Sequence, residues 1–441
     1  MNTSYWRPEE RFLTAAAGAP AIPDDEIREM LAAVLAERAA ALEDGQLRRV
    51  LLVPPDITRL NAYAGPIVTM LWELLPEAEV DVLPALGTHV PMTDAEREFM
   101  YPTVPAERML VHDWRTGTRN LGTVPAELIL EWSEGRMNSS VEVELSNYVL
   151  DPKYDLVISI GQIVPHEVVG MANYSKNLFV GCGGRQMINV SHYLGALYGM
   201  ERMMGRGDTP VRRLLDYAEE NCIAELPLVY VLTVTTTDPD ETVRVRSLGV
   251  GRSRALFDKL VAESQRWNLD LLEEPIDTCV VYLKPEEFRT TWVGNKSIYR
   301  TRMAMADDGD LIIIAPGVAH FGEDEGNDVL IGRYGYVGAD RVAELVATKP
   351  DLADALGVAA HLVHGSSEGR FRITYVPGGL SREQVEGVGF NYMAPEEAQE
   401  LYPIDQFQDG WNDWNGRRIF YISNPALGLW ALRAKFEEVS E

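Results

Sequence analysis

The sequence predicts an α/β protein of two domains, each with a mostly parallel sheet, and an active-site cleft between them. Three observations carry that reading. The chain has 441 residues, too many for a single hydrophobic core. Its hydrophobic share of 46% is ordinary for packed interiors. Above all, apolar β-branched runs alternate with segments of helical periodicity, the pattern of βα units in a parallel sheet. We place the boundary after residue 272: an N-terminal domain over 1–272 and a C-terminal domain over 273–441.

The elements follow in order. Residues 24–44 predict a helix, with Asp24 as cap, Ile27, Met30, Leu31, Val34 and Leu35 as its apolar stripe, and Gly45 beyond its end. RRVLLVPPD is a strand ending at Asp56. Residues 65–75 are helical, and AEVDVLPALG is a strand ending before His89. Thr93 and Glu96 form a capping box for a helix over 93–100. YDLVISIG (154–161) is a buried strand that leads into a Gly-rich loop. Thr209 caps a helix over 210–221 with Pro210 at its first position. LVYVLTVTTT is a strand, and 253–267 a helix.

The acidic stretch WNLDLLEEPIDT (267–278) reads as an interdomain linker. Beyond it, TCVVYLKP, GDLIIIAPG, RFRITYVPG and RRIFYISNP are strands interleaved with helices such as 339–348. A last helix over 426–439 packs either on the second domain or back on the first.

Charge and cysteine content exclude several classes. Forty basic against 67 acidic residues leave a net −27, which argues against nucleic acid and anionic membrane surfaces as partners. Cys182, Cys222 and Cys279 show no C-x-x-C pair, so neither a disulfide framework nor a zinc knuckle is expected. No apolar run reaches membrane-spanning length and no charged-then-apolar leader opens the chain, so the expected compartment is the cytoplasm.

Reactive side chains follow strand after strand in the first domain. Asp56 and Arg59 follow the first strand, His89 the second and His166 a later one, while Lys176 and His192 lie beyond it. In a parallel sheet these converge on the carboxyl edge, where ligands bind. Histidines and an aspartate suit a divalent metal, and paired histidines suit acid and base work near neutral pH. A lysine in a small-residue loop suits covalent attachment to a carbonyl or cofactor, and an arginine suits a carboxylate. This describes an enzyme acting on a small carboxylic acid, and the spacing alone leaves hydrolase and isomerase both open. A zinc hydrolase with His89, His166 and His192 as ligands is one alternative, although it lacks a compact H-x-x-x-H signature.

The motifs PDITR (55–59), ALGTHVPMTDAE (85–96), GQIVPHEVVG followed by Lys176, and INVSH (188–192) resemble those of the nickel-dependent lactate racemase family. That family racemises or epimerises 2-hydroxy acids with a nickel-pincer nucleotide, loaded with the help of dedicated cofactor-synthesis enzymes. The resemblance implies that Lys176 carries the tethered cofactor and His192 ligates nickel. It implies His89 and His166 as the acid/base pair and Arg59 as the arginine beside nickel and substrate. Asp56 and Thr58 are similar to residues that help hold the nucleotide. For Gly181, Gly183 and Gly184, glycine chemistry suggests backbone N–H groups that approach its phosphate.

Two departures stand out. The family's Ser-Gly-Gly before the lysine is here Asn173-Tyr174-Ser175. Its Tyr-Gln-x-x-Lys carboxylate clamp is here Tyr299, Arg300 and Met303, leaving Arg300, Arg302 and Lys296 as candidates for the carboxylate role. The stretches 292–324, 364–371 and 387–398 resemble the branch of D-gluconate/D-mannonate 2-epimerases, with His320, Ser366, Ser367 and Asn391 as partners for extra hydroxyls. A racemase of lactate or malate, and a cofactor-free sugar-acid binding protein, are the alternatives.

Overall fold

The computed structural model describes residues 5–438 apart from 239 and 427. It divides into two compact units: Met1–Ser191 with Gly205–Trp267, and His192–Met204 with Asn268–Glu441.

The strands of the first unit are β1 (Arg11–Thr14), β2 (Arg49–Val53), β3 (Glu79–Val82), β4 (Thr118–Val124), β5 (Val141–Ser146), β6 (Leu156–Gln162), β7 (Pro165–His166), β8 (Gly170–Met171), β9 (Leu228–Thr237) and β10 (Val243–Gly251). The main sheet runs β1-β10-β9-β6-β2-β3. The pairs β9·β6, β6·β2 and β2·β3 are parallel, whereas β10 and β1 join antiparallel at one edge. The central strands are buried along most of their length, as their continuous Val, Leu and Ile runs require. After β2 the chain moves to β3 on one side and later returns as β6 on the other. The carboxyl ends of β2 and β6 therefore form a topological switch point.

The helix Asp24–Ala40 buries Ile27, Met30, Leu31, Val34 and Leu35 against this sheet's core. Its cap differs from expectation. Pro23, already extended, occupies the cap position, so Asp24 is the first helical residue, and its carboxylate accepts from the Tyr63 hydroxyl at 2.7 Å. The helix closes at Ala40, short of Gly45. The capping box of Thr93 and Glu96 forms, and so does the Thr209 cap.

The second unit contains β11 (Asp270–Leu272), β12 (Ile276–Tyr282), β13 (Met305–Ala315), β14 (Arg372–Pro377), β15 (Asn391–Tyr392), β16 (Gly410–Trp414), β17 (Arg417–Ile422) and β18 (Trp430–Leu432). Its sheet runs β15-β14-β13-β12-β17-β16, parallel except for the last pair. Val280, Ile312, Val376, Ile419 and Tyr421 form one of its apolar layers.

Two expectations are corrected here. The stretch 267–278 is no plain linker: Asp270–Leu272 pairs in parallel with Trp430–Leu432, and β12 has begun by Ile276. For the same reason the final helix is short, Arg433–Glu438, because 430–432 are used as strand. Its Phe436 packs with Met200, Tyr299, Met303 and Leu429 of the second unit. Among the described residues, no helix is long and apolar enough to cross a membrane.

Candidate active site

The carboxyl end of β2 runs into Pro54-Pro55 and then Asp56, which caps the short turn Ile57–Ala62. One carboxylate oxygen of Asp56 accepts from the Thr58 amide at 3.2 Å and the Thr58 hydroxyl at 2.5 Å. The turn is held from below by β9, where the Thr233 and Thr235 hydroxyls donate to the carbonyls of Ala62 and Asn61 at 2.9 and 2.6 Å. The other Asp56 oxygen meets Nδ1 of His89 at 2.6 Å. Asp56 is 3% exposed, whereas the His89 side chain is 53% exposed, so the pair joins a buried anion to an accessible ring. Burial alone would push the Asp56 carboxyl up. The His89 contact, Thr58 and the Arg59 charge outweigh it and hold the group below the usual carboxylate range.

His166 lies just past β6, in the hairpin of β7 and β8, and is 4% exposed. The Val168 amide donates to its Nδ1 at 3.1 Å, and a Glu167 carboxylate oxygen stands 3.6 Å from the same atom. In the neutral ring the proton therefore sits on Nε2. His89 is the opposite case: its neutral ring donates from Nδ1 to Asp56 and keeps its basic lone pair on Nε2. Hydrogen bonding thus gives the two histidines different tautomers.

Lys176 stands on the short helix Ser175–Phe179. Asn177 fastens that helix to the switch point, its side-chain amide donating to the Val53 carbonyl and the Ser159 hydroxyl, both at 3.0 Å. The Lys176 amine is pushed down to about 7, first by burial and then by the Arg59 charge; Arg212 adds to the shift while Glu167 and Asp56 oppose it. Near neutral pH about half of such amines are unprotonated and nucleophilic. The first unit thus groups Asp56, Thr58, Arg59, His89, His166 and Lys176 at one sheet edge.

The Gly-rich loop is closely packed. A Cβ at Gly181 would meet the Asn177 carbonyl and the Ala85 methyl, one at Gly183 the Phe179 carbonyl, and one at Gly184 the Glu144 carboxylate. Packing therefore accounts for glycine at Gly181, Gly183 and Gly184. His112, which sequence reasoning passed over, is buried behind the loop, with Nε2 at 2.9 Å from the Gly183 carbonyl. Cys182 is buried, and burial pushes its thiol up, as befits an inert packing residue.

His192 lies on the helix Arg185–Tyr198, and from this residue to Met204 the chain counts with the second unit. There Tyr299 is buried among Met200, Met303 and Leu429. Arg300 donates to the Gly428 carbonyl at 2.8 Å. Arg302 pairs with Glu201 at 3.1 Å and donates to the Ser366 carbonyl at 3.2 Å, so its charge is engaged within the fold. Lys296 places its amine 6.0 Å from the Phe288 ring centroid.

Ser366, Ser367 and Asn391 share the lining of one hollow of about 560 Å³ with Tyr336, Arg341 and Phe390, whereas His320 is exposed and does not line it. Two further histidines emerge on the helix Leu356–His364. His361 stacks on Trp292 (4.2 Å) and contacts the Tyr336 hydroxyl at 3.1 Å, and the His364 ring stands edge-on to Tyr299 at 6.3 Å. The H-x-x-H spacing on a helical pattern was the signal for them. Among the described residues, no three His, Cys, Asp or Glu side chains gather as metal ligands.

Residues 9–205 match the lactate racemase N-terminal domain. No curated protein sequence matches the chain. Among solved structures, a Thermotoga maritima protein from a structural-genomics effort is similar with a TM-score of 0.77 and 21% identity, covering 94% of this chain and 99% of its own. The lactate racemase apoprotein of Thermoanaerobacterium thermosaccharolyticum is similar with a TM-score of 0.66 and 16% identity, covering 93% of each chain. Both share the fold of two α/β domains.

Proposed function

Taking the chain as a member of the lactate racemase family, we propose that it inverts C2 of a 2-hydroxy acid in a nickel-pincer-nucleotide-dependent reaction, with a sugar acid such as D-gluconate or D-mannonate preferred. Members of this family are isomerases. The observation that carries the proposal is the Asp56–His89 pair beside the low-pKa amine of Lys176, all within the matched residues 9–205.

The residues present suit the cofactor. The partly neutral Lys176 amine is fit for covalent attachment, and His192 offers the imidazole that would ligate nickel. When bound, the nucleotide supplies a reversible hydride acceptor, so the inversion is redox-neutral.

The chain's own residues handle the protons. His89 takes the 2-hydroxyl proton at Nε2, and the imidazolium so formed is stabilised by the buried Asp56 carboxylate. Asp56 and Thr58 thus serve His89 first. His166 delivers a proton to oxygen on the other face as an imidazolium, with Glu167, 3.6 Å from Nδ1, taking over from the Val168 amide. Arg59 supplies positive charge for the anionic substrate.

For the substrate carboxylate we favour Tyr299, Arg300 and Lys296, since Arg302 is committed to Glu201 and the Met303 thioether has no hydrogen to donate. The preference for a polyhydroxylated acid over lactate or malate rests on the likeness of 292–324, 364–371 and 387–398 to the sugar-acid epimerase branch.

The protein made together with the cofactor-synthesis enzymes tests this. Intact mass should show an adduct on Lys176 with about one nickel per chain, and C2 deuterium should be retained through epimerisation of gluconate or mannonate. Active protein lacking both adduct and nickel would sink the cofactor assignment. Turnover of lactate alone would move the substrate to a small acid, and binding without turnover would favour the sugar-acid binding protein.

A further inference from the structure

The turn that delivers Lys176 is built from residues poorly suited to its shape. Asn173 and Tyr174 stand at φ +60° and +56°, where a side chain crowds the backbone. Neither is glycine, so the surrounding structure has to hold them there. Asn173 occupies the space above Gly161 that a Cβ would fill, and its Oδ1 accepts from the Tyr174 amide at 2.8 Å. Tyr174 lies against Tyr230 and Phe257, with ring centroids at 4.5 and 5.0 Å, and its hydroxyl donates to the Arg252 carbonyl at 2.9 Å.

The third anchor is Arg212, whose side chain is wholly buried on the helix Pro210–Cys222. One terminal nitrogen donates to the carbonyls of Met171 at 2.7 Å and Asn173 at 3.2 Å; the other donates to the Ser175 hydroxyl at 2.7 Å. Ser175 in turn donates to Asp216 at 2.6 Å, and Asp216 is also paired with Arg254 at 2.6 Å. An apolar side chain would fill this space with far less desolvation than a guanidinium. What an apolar residue cannot do is bind three successive points of the segment 171–175.

We propose that Arg212 is a positioning residue for Lys176: its fork fixes the left-handed turn at 173–174 and so aims the Lys176 amine and shields it from water. The inference rests on reading Lys176 as the attachment point. The charges around the amine agree with it. Burial and Arg59 push its pKa down, with Arg212 in the same direction, while Glu167 from the β7–β8 hairpin and Asp56 from the turn after β2 push it up.

Competitive labelling of cofactor-free full-length protein with trace acetic anhydride, read by mass spectrometry on the Lys176 peptide, tests this. The unaltered protein should show a labelling midpoint near pH 7. Arg212→Lys keeps the charge and loses the fork, so the midpoint should rise by about one pH unit, with about fivefold less reactive amine at neutral pH. Adding Asn173→Gly should restore it in part, because glycine takes a positive φ without penalty while the bond to the Tyr174 amide is lost. An unchanged midpoint in folded Arg212→Lys protein would overturn the proposal; a shift that Asn173→Gly does not lessen would overturn the turn-holding role.

Should Arg212→Lys fail to fold, Ser175→Ala removes one of the three bonds. It should move the midpoint the same way by less, and no movement would count against Arg212. If the loaded protein carries no adduct, the attachment reading falls, while the labelling midpoint still decides on Arg212.

Discussion

Asp56 shows how one side chain draws its role from its neighbours. Its short contact with Nδ1 fixes the tautomer of His89, much as a buried carboxylate orients a catalytic imidazole in hydrolases. Asp56→Asn replaces an acceptor with an amide that can donate to Nδ1, turning the lone pair the wrong way. We expect kcat for C2 inversion to fall by about 10²- to 10³-fold in folded, loaded protein.

Lys176 carries the opposite lesson, a charge whose burial is unfavourable. Its pKa lies near 7 in the fold against 10.5 for an ordinary lysine. Between those values the unfolded chain binds more protons, so stability rises with pH across that window. Lys176→Met should therefore stabilise the protein at neutral pH by about 2 to 4 kcal/mol, an advantage that vanishes above pH 10.5. Urea melts at neutral and strongly alkaline pH would check this, and equal effects at both would contradict it.

Short elements set these side chains in place. The helix Asp94–Met100 begins five residues after His89, and its capping box ties Thr93 and Glu96 together at both ends, with the Thr93 amide donating to Glu96 at 2.8 Å. Thr93→Ala should cost about 1 kcal/mol, seen as a lower urea midpoint at unchanged m. That box was legible because it is local in sequence.

The antiparallel strands β1 and β10 were not. β1 spans only Arg11–Thr14, and β10 opens on an alternation of Val and Arg that also suits a solvated loop. Likewise 267–278 looks like a linker until Trp430–Leu432, far along the chain, supplies the partner that makes Asp270–Leu272 a strand. Strand pairing over such separations leaves no local trace.

Over the full length, the net charge of −27 coexists with local positive charge, as at Arg59 beside Lys176. The chain also crosses between units more often than a single boundary implies. The segment His192–Met204 counts with the second unit although Gly205–Trp267 returns to the first. Met200, Met204 and Glu201 explain it, the first two in an apolar cluster with Tyr299 and Leu429, the last paired with Arg302 and Arg370. No composition shift marks that excursion, because helical periodicity runs through Arg185–Tyr198 without a break.

The place of several candidate-site residues at the sheet edge was readable in the order of residues. A strand of continuous Val and Leu ending in Pro-Pro-Asp predicts a polar residue at a sheet's carboxyl edge, and Asp56, His89 and His166 all follow that rule. Periodicity, caps and strand ends are local properties, so a linear reading recovers them. Tertiary packing decided the rest: that Asp56 grips His89, that His166 carries its neutral proton on Nε2, that Arg302 is spent on Glu201, and that Gly181, Gly183 and Gly184 are enclosed by their own chain. Hydrogen-bond partnership and burial depend on which distant segments meet. Those same contacts turn an ordinary lysine into an amine poised near neutrality.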